Sequence, residues 1–268
     1  MAHKNYVLLL SFCLILWCTP SCKKVFEYTP YSAQLANGYD EITTEKNIQK
    51  ISGAEKQTGS FKIAILADSH YFIDELAEAV NTINSRNDIA FTIVAGDMSD
   101  QGLEKEYMQL YDQLKRLKTP LFTVIGNHDY LANAEVIYAK IFGPYNYSFR
   151  YNRYNFIFFD AVFWEKNGQP DYNWLDNELA MSSGTPTIIV SHIPPFGDQF
   201  DAASTNMHRS TTAKYNVPLS IHGHVHEYAY SRYYNDETRY LVAPSIDKRQ
   251  LIIVSFEGDD FQVVKEPF

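Results

Sequence analysis

From residue 61 onward the chain alternates short apolar runs with amphipathic stretches. Runs at 61–67, 91–95 and 121–125 are rich in β-branched and aromatic residues and predict buried strands. Between them, 3.6-residue periodicity predicts helices at about 74–86, 103–117 and 133–142. Strands that alternate with helices imply right-handed crossovers and a parallel sheet. After Gly143 the pattern changes. Residues 147–151 and 155–161 read as a hairpin, and 172–182 as a short helix with Trp174, Leu175 and Leu179 on one face. Strands follow at 187–191 and 218–222. Residues 228–234 and 239–243 flank the turn-like Asn235-Asp236-Glu237-Thr238, and strands at 250–256 and 261–265 close the chain. The β-rich second half predicts a second sheet packed on the first. Residues 23–60 are a polar lead-in, in which Thr43 or Thr44 is expected to cap a short helix carrying Ile48 and Ile51. The stretch 194–213 reads as a long polar loop, and such loops tend to be functional.

The candidate chemistry sits where these runs end. Asp68 and His70 follow the first run and Asp97 the second. Asn127 and His128 follow the third, His192 the run at 187–191, and His224 and His226 the run at 219–223. In open α/β sheets ligands bind beyond the carboxyl ends of the strands. Five strand ends that deliver oxygen or imidazole donors signal a metal centre built for hydrolysis. No Gly-x-x-x-x-Gly-Lys-Ser/Thr loop, Gly-x-Ser-x-Gly elbow or His-Glu-x-x-His pair offers another chemistry.

The totals narrow this further. The chain has 268 residues, 46% of them hydrophobic, enough for one well-buried domain over 61–268. Its cysteines, Cys13, Cys18 and Cys22, all lie early, so metals in the body would bind nitrogen and oxygen. Lys4, the apolar stretch 6–17 and the segment Thr19-Pro20-Ser21-Cys22 read as a signal peptide over 1–21 with a lipobox-like end. The expectation is cleavage before Cys22 and acylation of its sulfur. That gives an exported protein, lipid-anchored to a bacterial membrane and spaced from it by the lead-in at 22–60, with docking of that segment on the flank of the domain as the added possibility. Ordinary secretion with cleavage nearby is the alternative, and a retained anchor helix fits the short apolar stretch less well. Residues 1–21 carry Lys4 and no acid, which leaves 22 basic against 32 acidic residues and a net charge of −10. With no basic stripe, a nucleic-acid polymer is a poor partner.

Asp68-Ser69-His70, Gly96-Asp97-Met98-Ser99-Asp100, Gly126-Asn127-His128-Asp129, His192 and Gly223-His224-Val225-His226 occur in the order of the motifs of the calcineurin-like metallophosphoesterases, and the chain resembles that family from about residue 61 to 243. The resemblance implies a four-layer αββα sandwich with two central mixed β-sheets and a binuclear metal centre. It implies Asp68, His70, His226 and Asp97 around one metal, and Asn127, His192, His224 and Asp97 around the other. A carboxylate has two anionic oxygens, so Asp97 suits the bridge between ions about 3.5–4 Å apart. Two divalent ions against Asp68 and Asp97 leave an excess of about +2, which can hold a hydroxide and attract phosphate oxygens. Manganese, iron and zinc all suit these ligands.

In the family the histidine after the asparagine protonates the leaving oxygen or stabilises charge there, which makes His128 the general acid. Asp100 matches the carboxylate that orients it. Asp129 is expected to support. The implied reaction is hydrolysis of a phosphoester by a metal-bound hydroxide, with phosphodiester and phosphomonoester both open. Gln101 stands where the family's protein phosphatases place a phosphate-gripping arginine, which favours a small phosphoester over a phosphoprotein. The competing class is a non-catalytic cell-surface binding lipoprotein on a phosphoesterase scaffold, which would have no need for His128 and Asp100. Outside the motifs, His222 shares a face with His224 and His226 and reads as a packing or supporting residue more than a direct ligand. His208 and Arg209 read as an exposed basic pair, with a substrate-phosphate contact as the alternative. Tyr228, Tyr230, Tyr233 and Tyr234 face the site or form a plain hairpin, and Asp160 reads as structural or supporting.

Overall fold

The computed structural model describes residues 31–53, 59–196, 199–215, 217–234 and 237–268. The expected signal peptide, Cys22 and the Asn235-Asp236 turn lie outside the described residues. Among the described residues no helix is long and apolar enough to cross a membrane.

The first half delivers the predicted alternation: α1 (Thr43–Lys50), β1 (Phe61–Leu66), α2 (Ile73–Asn84), β2 (Ile89–Val94), α3 (Glu104–Leu114), β3 (Leu121–Thr123), a 3₁₀ segment (His128–Asn133) and α4 (Ala134–Ile141). The second half contains β4 (Tyr147–Tyr151), β5 (Tyr154–Phe158), α5 (Tyr172–Met181), β6 (Thr187–Val190), α6 (Ala202–Lys214), β7 (Leu219–His222), β8 (Ala229–Ser231), β9 (Arg239–Val242), β10 (Gln250–Glu257) and β11 (Asp260–Pro267).

Two mixed sheets form, in the orders β11-β10-β1-β2-β3 and β4-β5-β6-β7-β9-β8. Strands β1 to β3 pair parallel, as do β5, β6, β7 and β9. The later strands β10 and β11 extend the first sheet antiparallel, because β10 returns beside β1 and forms a hairpin with β11. Three apolar layers explain the stack. Ile63, Phe91, Phe122, Phe156, Ile188 and Leu241 fill the space between the sheets. Leu76, Val80, Leu110 and Ile137 cover the outer face of the first sheet, and Leu175 and Leu179 cover that of the second. The architecture is therefore helix, sheet, sheet, helix, with the central strands of both sheets buried on both faces.

Two expectations need correction. Most of the stretch 194–213 is not a loop: α6 begins after Asp201, whose side chain accepts the Ser204 N–H at 2.7 Å as an N-cap. Its alanine, serine and threonine composition lacks the apolar stripe that would have marked a helix. The lead-in docks on the flank of the domain, but without the expected threonine cap. Ile42 and Thr44 donate backbone N–H groups to the Lys140 and Phe142 carbonyls, Asn47 Nδ2 donates to the Leu121 carbonyl at 2.8 Å, and Ile51 joins the core. The residue before the first turn of α1 is Ile42, so neither Thr43 nor Thr44 is its cap.

Candidate metal centre

The carboxyl ends of β1, β2 and β3 in one sheet and of β6 and β7 in the other open on the same edge of the sandwich, and the seven candidate donors meet there. Donor atoms of Asp68, His70, Asp97 and His226 lie within 4.8 Å of one another. So do those of Asp97, His192 and His224. Asp97 belongs to both groups. Its Oδ2 lies 3.0 Å from His192 Nε2 and 4.0 Å from His70 Nε2. His70 Nε2 faces His226 Nε2 at 3.2 Å, and Asp68 Oδ1 lies 3.4 Å from His226 Nε2. Asn127 joins the second group, with Oδ1 3.0 Å from His224 Nδ1.

Tight turns make this convergence possible. Asp68, His70, Asp97, His224 and His226 all adopt left-handed backbone, with φ between 43° and 72°. Non-glycine residues rarely do so except where surrounding structure imposes it, and such positions cluster at functional sites. The loops that impose it are cross-linked through the main chain. Asp68 N–H donates to the Gly96 carbonyl, His70 N–H to the Asp97 carbonyl, and Gly223 N–H to the His192 carbonyl. Gly126 is required by close approach: a Cβ there would stand 2.2 Å from Asp97 Oδ1. Asp129 is wholly buried and accepts the backbone N–H groups of Gly126 at 2.9 Å and Met98 at 3.0 Å, and the Tyr107 hydroxyl at 2.6 Å. Its supporting role is to weld the loop after β2 to the loop after β3.

The donor set fits metal cations. His192 donates Nδ1–H to the Ala95 carbonyl at 2.7 Å, which fixes the tautomer and turns Nε2 toward Asp97. Burial opposes a charge on His192, but the Asp97 carboxylate, with Asp68 behind it, outweighs burial and pushes the imidazole up to about 10. Burial likewise opposes ionisation of Asp97, yet His192, His128 and His70 hold its carboxyl well below the usual carboxylate range. Two buried carboxylates thus draw positive charge into a site of imidazoles, a place that a divalent cation could take by displacing protons.

His128 lies against this cluster. Its backbone N–H donates to Asp97 Oδ1 at 2.9 Å, and its ring meets the His70 ring edge-on at 4.7 Å between centroids. Its Nδ1–H donates to the backbone carbonyl of Asp100 at 2.6 Å. The atom of Asp100 that His128 bonds is thus its main-chain carbonyl rather than the carboxylate that the resemblance implied. The Asp100 carboxylate accepts from Gln101 Nε2 at 2.7 Å and lies 3.6 Å from His70 Nδ1. The turn after β2 brings the carbonyl into contact with the imidazole, while a carboxylate oxygen of Asp100 lies within 4.8 Å of ring nitrogens of both His128 and His70.

Of the remaining candidates, His222 is buried away from the donor cluster. Its Nδ1–H donates to the Ser191 carbonyl at 3.0 Å and its ring stacks on Tyr240. His208 is no exposed residue: it is buried in α6 between the Tyr172 and Phe200 rings, and burial pushes its imidazole down to about 4. Arg209 stacks over the Tyr234 ring at 4.0 Å. Tyr233 stacks on Phe196, Tyr234 donates to the Pro195 carbonyl, and Tyr228 and Tyr230 pack against the inter-sheet core. Tyr233 and Tyr234 thus brace the segment after His192.

The sequence profile of the calcineurin-like phosphoesterases matches residues 61–228, well over half of the chain. This chain belongs to the calcineurin-like phosphoesterase family. The phosphoesterase is 27% identical over 172 residues to a 3',5'-cyclic-nucleotide phosphodiesterase of Nostoc sp., a match covering 60% of this chain and 64% of the relative. It is 28% identical over 200 residues to a probable cyclic nucleotide phosphodiesterase of Coxiella burnetii, covering 69% and 72%. Among solved structures, it superposes on a purple acid phosphatase from yellow lupin with a TM-score of 0.64 at 13% identity, over 79% of this chain and 52% of that one. It superposes on a 5'-nucleotidase from Candida albicans with a TM-score of 0.55 at 15% identity, over 79% and 52%. At such identities the two structures speak for the shared fold.

One residue of the phosphoesterase's site was not singled out from sequence. Asn127 Nδ2 donates to Glu165 Oε1 at 3.3 Å, and Gln199 Nε2 donates to the same oxygen at 3.2 Å. Glu165 lies 38 positions beyond Asn127 in an irregular segment, and no local pattern marks it.

Proposed function

We propose that this phosphoesterase hydrolyses a small phosphoester at a two-metal centre, with 3',5'-cyclic nucleotides the favoured substrate class. The observation that carries the reading is the sharing of Asp97 between two donor groups, one containing Asp68, His70 and His226 and the other His192 and His224, with Asn127 beside the second. A carboxylate common to two such groups is what a bridged pair of ions requires. Ions held there would supply Lewis acidity toward phosphate oxygens and toward water. His128 is the proton donor. With Nδ1–H committed to the Asp100 carbonyl, Nε2 is the nitrogen left to deliver a proton to the leaving oxygen. Gln101 in place of a phosphate-gripping arginine, and relatives named as cyclic nucleotide phosphodiesterases, favour a small diester over a phosphoprotein. A purely binding role would leave the oriented imidazole of His128 without a task. The exported, lipid-anchored state remains part of the proposal and rests on the segment around Cys22.

The test is hydrolysis of bis-p-nitrophenyl phosphate, p-nitrophenyl phosphate and 3',5'-cyclic nucleotides after chelation and again after manganese is restored. Manganese-dependent turnover of the diesters above the monoester supports the reading. No turnover of any phosphoester in the reconstituted protein overturns it.

A further inference from the structure

We propose that Glu165 is a positioning residue for the metal centre: its carboxylate sets the amide orientation of Asn127, and so decides that an oxygen rather than an NH₂ group faces the second metal position. The inference rests on the two-metal reading above and assigns a role to a residue outside the motif blocks.

An asparagine side chain presents an acceptor on one side and a donor on the other, and only its partners decide which way it lies. A carboxylate accepts and cannot donate when ionised. Glu165 Oε1 can therefore be approached by Asn127 only through Nδ2, at 3.3 Å. That leaves Asn127 Oδ1 on the opposite side, 3.0 Å from His224 Nδ1. A flipped amide would direct two N–H groups at the position a cation would take and would set an oxygen against the Glu165 carboxylate. Both changes are repulsive.

Glu165 is itself held in place. Gln199, which is buried, donates Nε2 to the same Oε1 at 3.2 Å. The segment carrying Glu165 is a closed turn, with Asn167 N–H on the Trp164 carbonyl and Gly168 N–H on the Phe163 carbonyl. The neighbouring Lys166 bonds the fully buried Asp160 at 2.7 Å, and the Tyr130 hydroxyl donates to the same carboxylate at 2.6 Å. Tyr130 stands three residues after Asn127. Asp160 thus fixes the Glu165 turn to the very loop whose amide Glu165 orients. Outer residues that orient metal ligands commonly carry 10–100-fold in metal affinity.

The test is a manganese titration of chelator-stripped protein followed by calorimetry, with the melting temperature of the metal-free protein measured alongside. Wild type is expected to show two classes of site. Glu165→Leu removes the acceptor and should weaken one class by roughly 10–100-fold while sparing the other. Glu165→Gln should restore most of that affinity, because Asn127 and Gln199 both donate toward position 165 and a glutamine there can turn its own Oε1 to them. The metal-free melting temperatures should agree. Two unchanged classes in Glu165→Leu, an equal loss from both classes, a Gln variant as impaired as the Leu variant, or a lowered metal-free melting temperature would each overturn the assignment. If wild type itself binds no manganese, the metal-centre reading falls first, and that result is separate from any difference among the variants.

Discussion

Asp129 Oδ1 accepts the Met98 backbone N–H at 3.0 Å across 31 positions of sequence, and that bond ties together the two loops that hold Asp97 and Asn127. Asp129→Asn keeps the size of the side chain but turns an NH₂ group on part of a ring of donors formed by Met98, Ser99, Gly126 and Tyr107. Leaving a buried donor without an acceptor costs about 1–3 kcal/mol. The variant is expected to lose about that much stability in a denaturant melt and to bind manganese more weakly at both positions. Unchanged stability and metal content would show that the weld is dispensable.

Gly126→Ala places a methyl group 2.2 Å from Asp97 Oδ1 and 2.3 Å from its backbone nitrogen. Neither atom has room to retreat inside a bonded loop. The expected outcome is a folded protein with little bound metal, destabilised by about 1–3 kcal/mol. Elemental analysis and circular dichroism on the purified variant check it.

His128→Ala should cut turnover by roughly 10²–10⁴-fold with metal content near wild type, the usual range for loss of a general acid. The loss should shrink for phosphoesters with good leaving groups, whose departing oxygen needs little protonation. Asp97→Asn should instead strip metal, because the shared carboxylate loses its charge. If His128→Ala loses metal, or slows good and poor leaving groups alike, the proton-donor role is wrong.

His208 predicts an acid-sensitive fold. Burial lowers its imidazole from an ordinary 6.5 to about 4, so the folded protein keeps it neutral while the unfolded chain takes up a proton below pH 6.5. Stability from this residue is complete above pH 6.5 and is lost as pH falls from 6.5 to 4, by about 3 kcal/mol at one unit per 1.36 kcal/mol. Burial also lowers His222, so it acts in the same direction. His208→Leu should flatten the difference in stability between pH 7 and pH 4.5 relative to wild type. Urea melts at the two pH values decide, and a variant with the full wild-type pH dependence refutes the account.

Cys22→Ala should release the protein from the membrane fraction of a bacterial host that expresses the full chain. Retention in that fraction would point to an uncleaved anchor or to a different processing site.

Much of the site was legible in the sequence, because the donors stand at or within a few residues of the ends of apolar runs that read as buried strands. Asp68, Asp97, Asn127, His192 and His224 each follow such a run, and parallel strands deliver their carboxyl ends to one edge of their sheet. The layering was legible too, since near-continuous apolar strands such as Ile89–Val94 demand cover on both faces. Helix α6 was not, because its stability comes from the Asp201 cap and from packing of His208 and Thr212 rather than from an apolar stripe. His208 looked exposed for the same reason: a polar sequence neighbourhood says nothing about what another element lays over it. Tertiary structure alone decided which atom of Asp100 reaches His128, since a main-chain carbonyl and a carboxylate on one residue cannot be told apart until the turn is formed. It also decided that Glu165 meets Asn127. Strand order and periodicity are local properties written along the chain, whereas a hydrogen bond between distant loops depends on where both loops come to rest.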